Sequence, residues 1–186
     1  MFRTEEAARY FREHEGVIDH MYLDVVGLVT IGVGFLLPSP ESACQLKLVN
    51  GATGATATDP EKAQDWKNIF AQEKGKLALS YRRFTRLSLP QAEIDAGLLN
   101  RLEEFRRLLR GRLPDLDSFP EKAQIGLLDM IYSLGPKGLF VGYPAFCAAA
   151  AKSDWRACAR ESKRRNVSES RNQDLAQLFR EAAREG

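Results

Sequence analysis

Glu15, Asp24 and Thr30 are the residues of this sequence whose types and spacing could do chemistry together. Two carboxylates stand nine positions apart and a hydroxyl six further on, within the stretch EGVIDHMYLDVVGLVTIGVG. Cleaving a glycosidic bond by the usual route needs one carboxylic acid to protonate the leaving oxygen and one carboxylate to activate water or attack the sugar. Glu15 suits the acid role, since an apolar setting and the negative end of a helix dipole both favour a protonated carboxyl. Asp24, expected at a strand end beside a turn, is the wetter of the two and suits the base. The Thr30 hydroxyl can donate and accept, and so can hold a water. Among 25 acidic residues the nearest competitors are Glu13 and Asp19. Glu13 falls on the wrong helical phase, and Asp19 lies in the connection before the strand. On residues alone, a purely structural hairpin stays open as the alternative.

The elements that must position these groups follow from periodicity and punctuation. Residues 4–15 read as a helix, with Thr4 as N-cap and Gly16 just past its end. At ~100° per residue Ala8, Phe11 and Glu15 share the apolar face. Over residues 21–35 the period becomes two, with Val29, Ile31 and Val33 on one side and Thr30, Gly32 and Gly34 on the other. Val25-Val26-Gly27 is the expected turn. A face of threonine and glycines either leaves room for a bulky ligand or marks a tightly twisted hairpin.

Beyond the hairpin, Ser39-Pro40-Glu41 opens a short helix, and GATGATAT at 51–58 reads as a surface loop. Thr58-x-x-Glu61, Ser88-x-x-Gln91 and Ser118-x-x-Glu121 each have capping-box spacing, so the remainder should be mainly helical. The helix after Ser88 is expected to pause near Gly97 and then continue on a stripe of Leu98, Leu102, Phe105 and Leu109. Arg106, Arg107, Arg110 and Arg112 read as its solvated face. Residues 121–134 form an expected central buried helix, stopped by Gly135-Pro136. Further helices are predicted over 143–151, 155–163 and 169–184, with Ser153 or Asp154 and Ser168 as caps.

Composition bounds the function. With 44% hydrophobic and 28% charged residues in 186, the chain is a globular protein of one domain or two small lobes. A net charge of +2 gives nucleic acid little support. No run reaches the ~20 apolar residues of a membrane span, and the start lacks the apolar core of a secretory signal. Cys44, Cys147 and Cys158 have neither zinc-site spacing nor the number for a disulfide framework. They read as buried thiols, with one Cys147–Cys158 bridge as the alternative.

The opening stretch resembles the phage-type lysozymes, glycoside hydrolase family 24. That family's helix-ending Glu-Gly, then Tyr-x-Asp, then Gly-x-x-Thr-Ile-Gly-x-Gly reads here as Glu15-Gly16, Tyr22-Leu23-Asp24 and Gly27 through Thr30 to Gly34. Weaker likenesses follow in Met130–Gly135, in Trp155 with Ala157 and Ala159, and in Arg171-Asn172 with Leu178-Phe179. The resemblance implies a single α+β, mainly helical, lysozyme-like domain over 1–186. A small N-terminal hairpin lobe over about 16–60, with a loop insertion, would face a larger helical lobe formed by 1–15 and 61–186, with the cleft between them.

It further implies a muramidase that cleaves the β-1,4 bond from N-acetylmuramic acid to N-acetylglucosamine with inversion and without cofactor or metal. Glu15 would be the acid, Asp24 the base and Thr30 the residue that helps position water. Inversion requires carboxyl groups ~6.5–9.5 Å apart. Tyr132, Ser133, Leu36 and Phe146 fall near saccharide-lining positions, with core packing the open alternative for Leu36 and Phe146. Two positions depart from the pattern, Phe35 for histidine and Ser133 for Asn or Gln.

The implied setting is an antibacterial effector that reaches the periplasmic wall without a signal peptide of its own. Its expected partners are peptidoglycan, secretion machinery and an inhibitor protein, and it is expected to act as a monomer. A phage endolysin, a lytic transglycosylase and a non-catalytic wall-binding module are the alternatives.

Overall fold

The computed structural model describes residues 4–165 and 167–185, apart from the side chains of residues 4, 5, 14 and 15. The chain is α+β and mainly helical, with two small antiparallel sheets. It divides into two compact units: Glu15–Leu98 forms one, and the residues before and after it form the other.

The first unit is built on a three-stranded sheet of β1 (Ile18–Leu23), β2 (Val29–Gly32) and β3 (Phe35–Leu36), with β2 in the middle. β2 pairs Tyr22 with Thr30 and Leu23 with Val29 on one side, and Thr30 with Leu36 and Ile31 with Phe35 on the other. Every residue of β2 is buried. The β1 register shifts between Ile18 and Tyr22, a bulge that bends the strand just before Asp24. Gly32 and Gly34 have φ of 70° and 91°, which lets the chain reverse within three residues between β2 and β3.

α2 (Pro40–Cys44) follows with Ser39 as its N-cap, and α3 (Asp59–Phe70) is started by Thr58. The Thr58 N–H and hydroxyl both donate to Glu61 Oε2 at 2.7 Å. α3 buries Trp66 and Ile69, and the Trp66 indole donates to the Leu37 carbonyl at 2.9 Å, which ties the helix to the end of the sheet. A second sheet pairs β4 (Val49–Asn50) with β5 (Leu87–Ser88). Asp65 of α3 is buried beneath β5 and accepts from the Leu87 N–H at 3.2 Å and from the Thr85 hydroxyl. These long-range bonds lie within the Glu15–Leu98 unit.

Two expectations fail around α4 (Gln91–Arg110). Ser88 is a strand residue and not a cap, and the helix runs through Gly97 without a pause. A Cβ on Gly97 would lie 2.7 Å from the Phe35 ring, so this glycine makes room for a side chain and breaks nothing.

In the second unit, α5 (Glu121–Gly142) starts from Pro120, while the Ser118 hydroxyl donates to the Asp115 carbonyl. Ser118 is therefore not its cap. Gly135, with φ 68° and ψ 165°, is non-helical and divides α5 before Pro136 into two helical segments, where the stop was expected. α6 (Pro144–Ala151), α7 (Trp155–Glu161) and α8 (Glu169–Glu185) fall close to their predicted spans. Asp154 caps α7 through the Ala157 N–H at 2.9 Å, and Ser168 accepts from Arg171 N–H at 3.3 Å.

The core here is aromatic. Phe179 packs edge-on to Phe146 and parallel to Trp155, and Trp155 meets Phe119. Arg106 is buried in an ion pair with Asp117 and is not part of a solvated face. All three cysteines are free thiols. Burial pushes the Cys158 thiol up to about 12. Among the described residues, no helix is long and apolar enough to cross a membrane.

Candidate active site

Asp24 sits one residue past β1, where the chain turns toward β2. Its Oδ1 accepts the backbone N–H groups of Val26, Gly27 and Leu28 at 3.0, 2.8 and 2.8 Å. The Asp24 N–H in turn donates to the Leu28 carbonyl at 3.0 Å, and the Gly27 N–H to the Asp24 carbonyl. An aspartate before a turn does this because its short side chain mimics the missing backbone acceptor. All three described bonds fall on Oδ1, so Oδ2 is the oxygen aimed away from the loop. Gly27, at φ 93°, supplies the left-handed residue the turn requires.

Thr30 is tied to the same peptide. Its hydroxyl donates to the Leu28 carbonyl at 3.1 Å, so the Asp24 N–H and the Thr30 O–H share one acceptor. With the proton of Thr30 committed, its lone pairs are what remain to offer a ligand or water. Thr30 is 5% exposed. β-sheet register sets Leu36 opposite Thr30, and Leu36 is 46% exposed, which decides against core packing for it. Asp24, Thr30 and Leu36 are thus brought together.

The glycine face does not form an open trough. A Cβ on Gly32 would come within 2.9 Å of the Phe35 ring, and the same ring lies over Gly97. Phe35, the departure from the expected histidine, fills the room beside Gly32 and Gly97, whereas a Cβ on Gly34 would meet nothing within 4 Å. The face is packed at Gly32 and open at Gly34.

Glu15 is the last residue of α1 (Thr4–Glu15) and adjoins Gly16, with φ 67°. Its side chain, and that of His14, lie outside the described residues. Phe11 and Ala8 are buried and Glu13 is exposed, as the helical phase predicted. Asp19 is not a free competitor. Against the upward pull of its partial burial, the His20 hydrogen bond, Arg82 and Ser88 together hold its carboxyl below the usual range. His20, 1% exposed, spans from Asp19 Oδ1 at 3.0 Å to the Ala78 carbonyl at 3.2 Å. It braces β1 against the 3-10 turn at Ala78–Phe84.

The other predicted saccharide contacts belong to the second unit. Tyr132 on α5 is half-buried, its ring 4.9 Å from that of Phe11 and edge-on to Phe105. Ser133 is exposed as a residue, yet its hydroxyl accepts from Arg164 at 2.6 Å and donates to Asp129 at 3.3 Å. Phe146 is 1% exposed against Phe179. It packs in the core, the alternative open at this position, and does not present its ring to a saccharide.

Ser133 belongs to a buried network that sequence reading missed. Asp129 and Arg164, both with fully buried side chains, pair at 3.0 Å. Asp129 Oδ1 also accepts from Arg171 at 3.1 Å, and Oδ2 from the Tyr10 hydroxyl at 3.0 Å. Burial and the Asp129 charge push the Tyr10 phenol well above its ordinary range. The available signal was an aspartate in the middle of the apolar run GLLDMIY. Its partner lies 35 positions away and carries no comparable mark.

Among the described residues no group of three or more His, Cys, Asp or Glu could hold a metal ion. Comparison with known protein families finds no match to this chain, and comparison with characterised proteins finds none either.

Proposed function

We propose that the protein is a peptidoglycan muramidase that hydrolyses the β-1,4 bond between N-acetylmuramic acid and N-acetylglucosamine with inversion, in a lysozyme-like fold. The observation that carries this reading is the shared Leu28 peptide. The Leu28 carbonyl accepts from both the Asp24 N–H and the Thr30 hydroxyl, and the Leu28 N–H donates to Asp24 Oδ1, in a residue pattern that resembles the phage-type lysozymes.

In this mechanism Glu15 gives its proton to the departing glycosidic oxygen as the C–O bond breaks. A water held on the opposite face of the sugar donates one hydrogen to Asp24 Oδ2 and the other to the Thr30 Oγ1 lone pair. Both its hydrogens are then engaged, so its lone pair is directed at the anomeric carbon. Asp24 takes up the proton as the new C–O bond forms. The three N–H groups on Oδ1 keep the Asp24 carboxylate from rotating, so Oδ2 stays aimed away from the loop.

The biological role proposed with it is that of an antibacterial effector acting on the wall of a rival cell. The test is release of soluble muropeptides from purified sacculi by wild type and by Glu15→Gln, with product masses. The expected result is release by wild type of saccharides with a reducing end, and a loss of at least about 100-fold in the variant. Equal release from both, or none from either, overturns the assignment. Products lighter by one water make the enzyme a transglycosylase instead.

A further inference from the structure

The second unit carries a pocket of about 550 Å³ that the proposed hydrolysis does not use. Among the described residues it is lined by Gly142, Tyr143, Pro144, Arg160, Lys163 and Arg165, with Glu161 as the single carboxylate. Three cations against one anion in a concave site is an electrostatic imbalance. Arg156 stands four residues before Arg160 on α7, and like charges at that spacing repel one another. Among the described residues neither Arg160 nor Arg165 is paired with a carboxylate. Lys163 pairs with Glu169 at 3.0 Å, but both side chains are exposed, so that bond is weak and exchangeable.

The cations are presented from a fixed backbone. Arg164, between Lys163 and Arg165, turns inward, and its peptide is clamped on both sides by Asn172. The Arg164 N–H donates to Asn172 Oδ1 and the Asn172 amide to the Arg164 carbonyl, each at 3.0 Å. Its guanidinium is held by Asp129 and Ser133. With the middle residue anchored in the core, its two exposed neighbours project from an ordered backbone, so little backbone order has to be imposed when a ligand binds. The buried arginine thus pre-arranges the two exposed cations.

The start of α6 opens on the same pocket. No side chain caps it, and N–H groups in the first turn of a helix have no partner within the helix. Ala145 and Phe146, which follow Pro144, also line the pocket. Forked guanidinium groups, an ammonium, a phenol and helix N–H groups are the donor set that suits a phosphoryl group. The volume exceeds what a bare phosphate needs and matches small-ligand sites.

We propose that this pocket binds the phosphoryl group of a phosphorylated sugar or polyol, either as a soluble small molecule or as a unit of an anionic wall polymer. The inference stands independently of muramidase activity, because its readout is binding.

The experiment is an amide NMR titration of the full chain with three probes: inorganic phosphate, glucose 1-phosphate and a glycerol-phosphate polymer. Saturable shifts at Ala145, Phe146 and the 160–165 segment are expected, together with at least a tenfold loss of affinity in Arg160→Ala/Arg165→Ala. A double variant lacking two exposed arginines elsewhere, Arg107→Ala/Arg180→Ala, should bind as wild type does. Tighter binding of the sugar phosphate than of the polymer identifies a soluble ligand, and the reverse identifies a wall anchor. Absence of saturation with every probe, or equal loss in both double variants, overturns the proposal and leaves an adventitious ion only.

Discussion

Asp24 carries two roles that a pair of substitutions separates. As a loop cap, its Oδ1 satisfies three backbone N–H groups, two of them solvent-exposed and one, from Gly27, part-buried. As the proposed base, its Oδ2 must accept a proton. Asp24→Asn keeps an acceptor oxygen in the Oδ1 position and removes the basicity, whereas Asp24→Ala removes both. Losing a side-chain cap costs about 0.5–2 kcal/mol. Water can replace the two exposed bonds but not readily the third, so Asp24→Ala should lose roughly 1–2 kcal/mol and Asp24→Asn less than about 0.5.

For a chain of this length 1 kcal/mol moves Tm by about 2–4 °C. Asp24→Ala is therefore expected to melt about 2–8 °C lower and Asp24→Asn within about 2 °C of wild type. Muropeptide release should fall by about 10²–10⁴-fold in both. The assay is thermal melting followed by circular dichroism, run beside reducing-end release from sacculi. Full activity in Asp24→Asn would refute the base assignment. An unchanged Tm in Asp24→Ala would refute the cap.

Three further outcomes follow from the second unit. A Cβ on Gly126 would meet the buried Phe179 ring at 2.6 Å, so Gly126→Ala should destabilise by about 1–3 kcal/mol in urea denaturation. A gain of stability, as for an ordinary helix glycine, contradicts this packing. Asp129→Ala leaves the Arg164 charge buried without its partner and should cost about 3–5 kcal/mol, while a loss below about 1 kcal/mol would mean that the pair is solvated. For Cys158 the sign follows from its raised folded-state pKa: the protonated thiol stabilises the fold below the ordinary pKa near 9, and that contribution is lost as pH climbs toward about 12. Stability should therefore fall across that window, less steeply in Cys158→Ala, and Cys158 should resist alkylation at pH 8 while the partly exposed Cys44 reacts. Rapid labelling of Cys158 in the folded protein would show that its burial is not maintained.

What could be read from the sequence was what depends on neighbours in the chain. α1 ends at Glu15, the turn falls at 25–27, and Thr58 and Asp154 cap their helices, because each rests on contacts within about four residues. Ser88 and Ser118 have the same cap spacing and fail. Ser88 is claimed by pairing with Val49 across 39 positions, and Ser118 by the turn at Asp115. Arg106 could not be told from its exposed neighbours, since its burial depends on Asp117 in another element. The pairing of Asp129 with Arg164 was hidden for the same reason.

The hairpin shows where local reading stops. Strand alternation placed Thr30 with Gly32 and Gly34, a face that either leaves room for a bulky ligand or marks a tightly twisted hairpin. Space in a fold belongs to whichever side chain can reach it, and Phe35, only three residues past Gly32, turns back over both Gly32 and Gly97. Alternation cannot report this, because the ring arrives across a tight turn and from the next strand. Opposite Thr30 in register lies Leu36, an exposed apolar side chain. The same geometry assigns the glycines a different purpose. Gly32 and Gly97 leave room for the Phe35 ring, and on the same strand the Thr30 hydroxyl donates to the Leu28 carbonyl that also accepts from the Asp24 N–H.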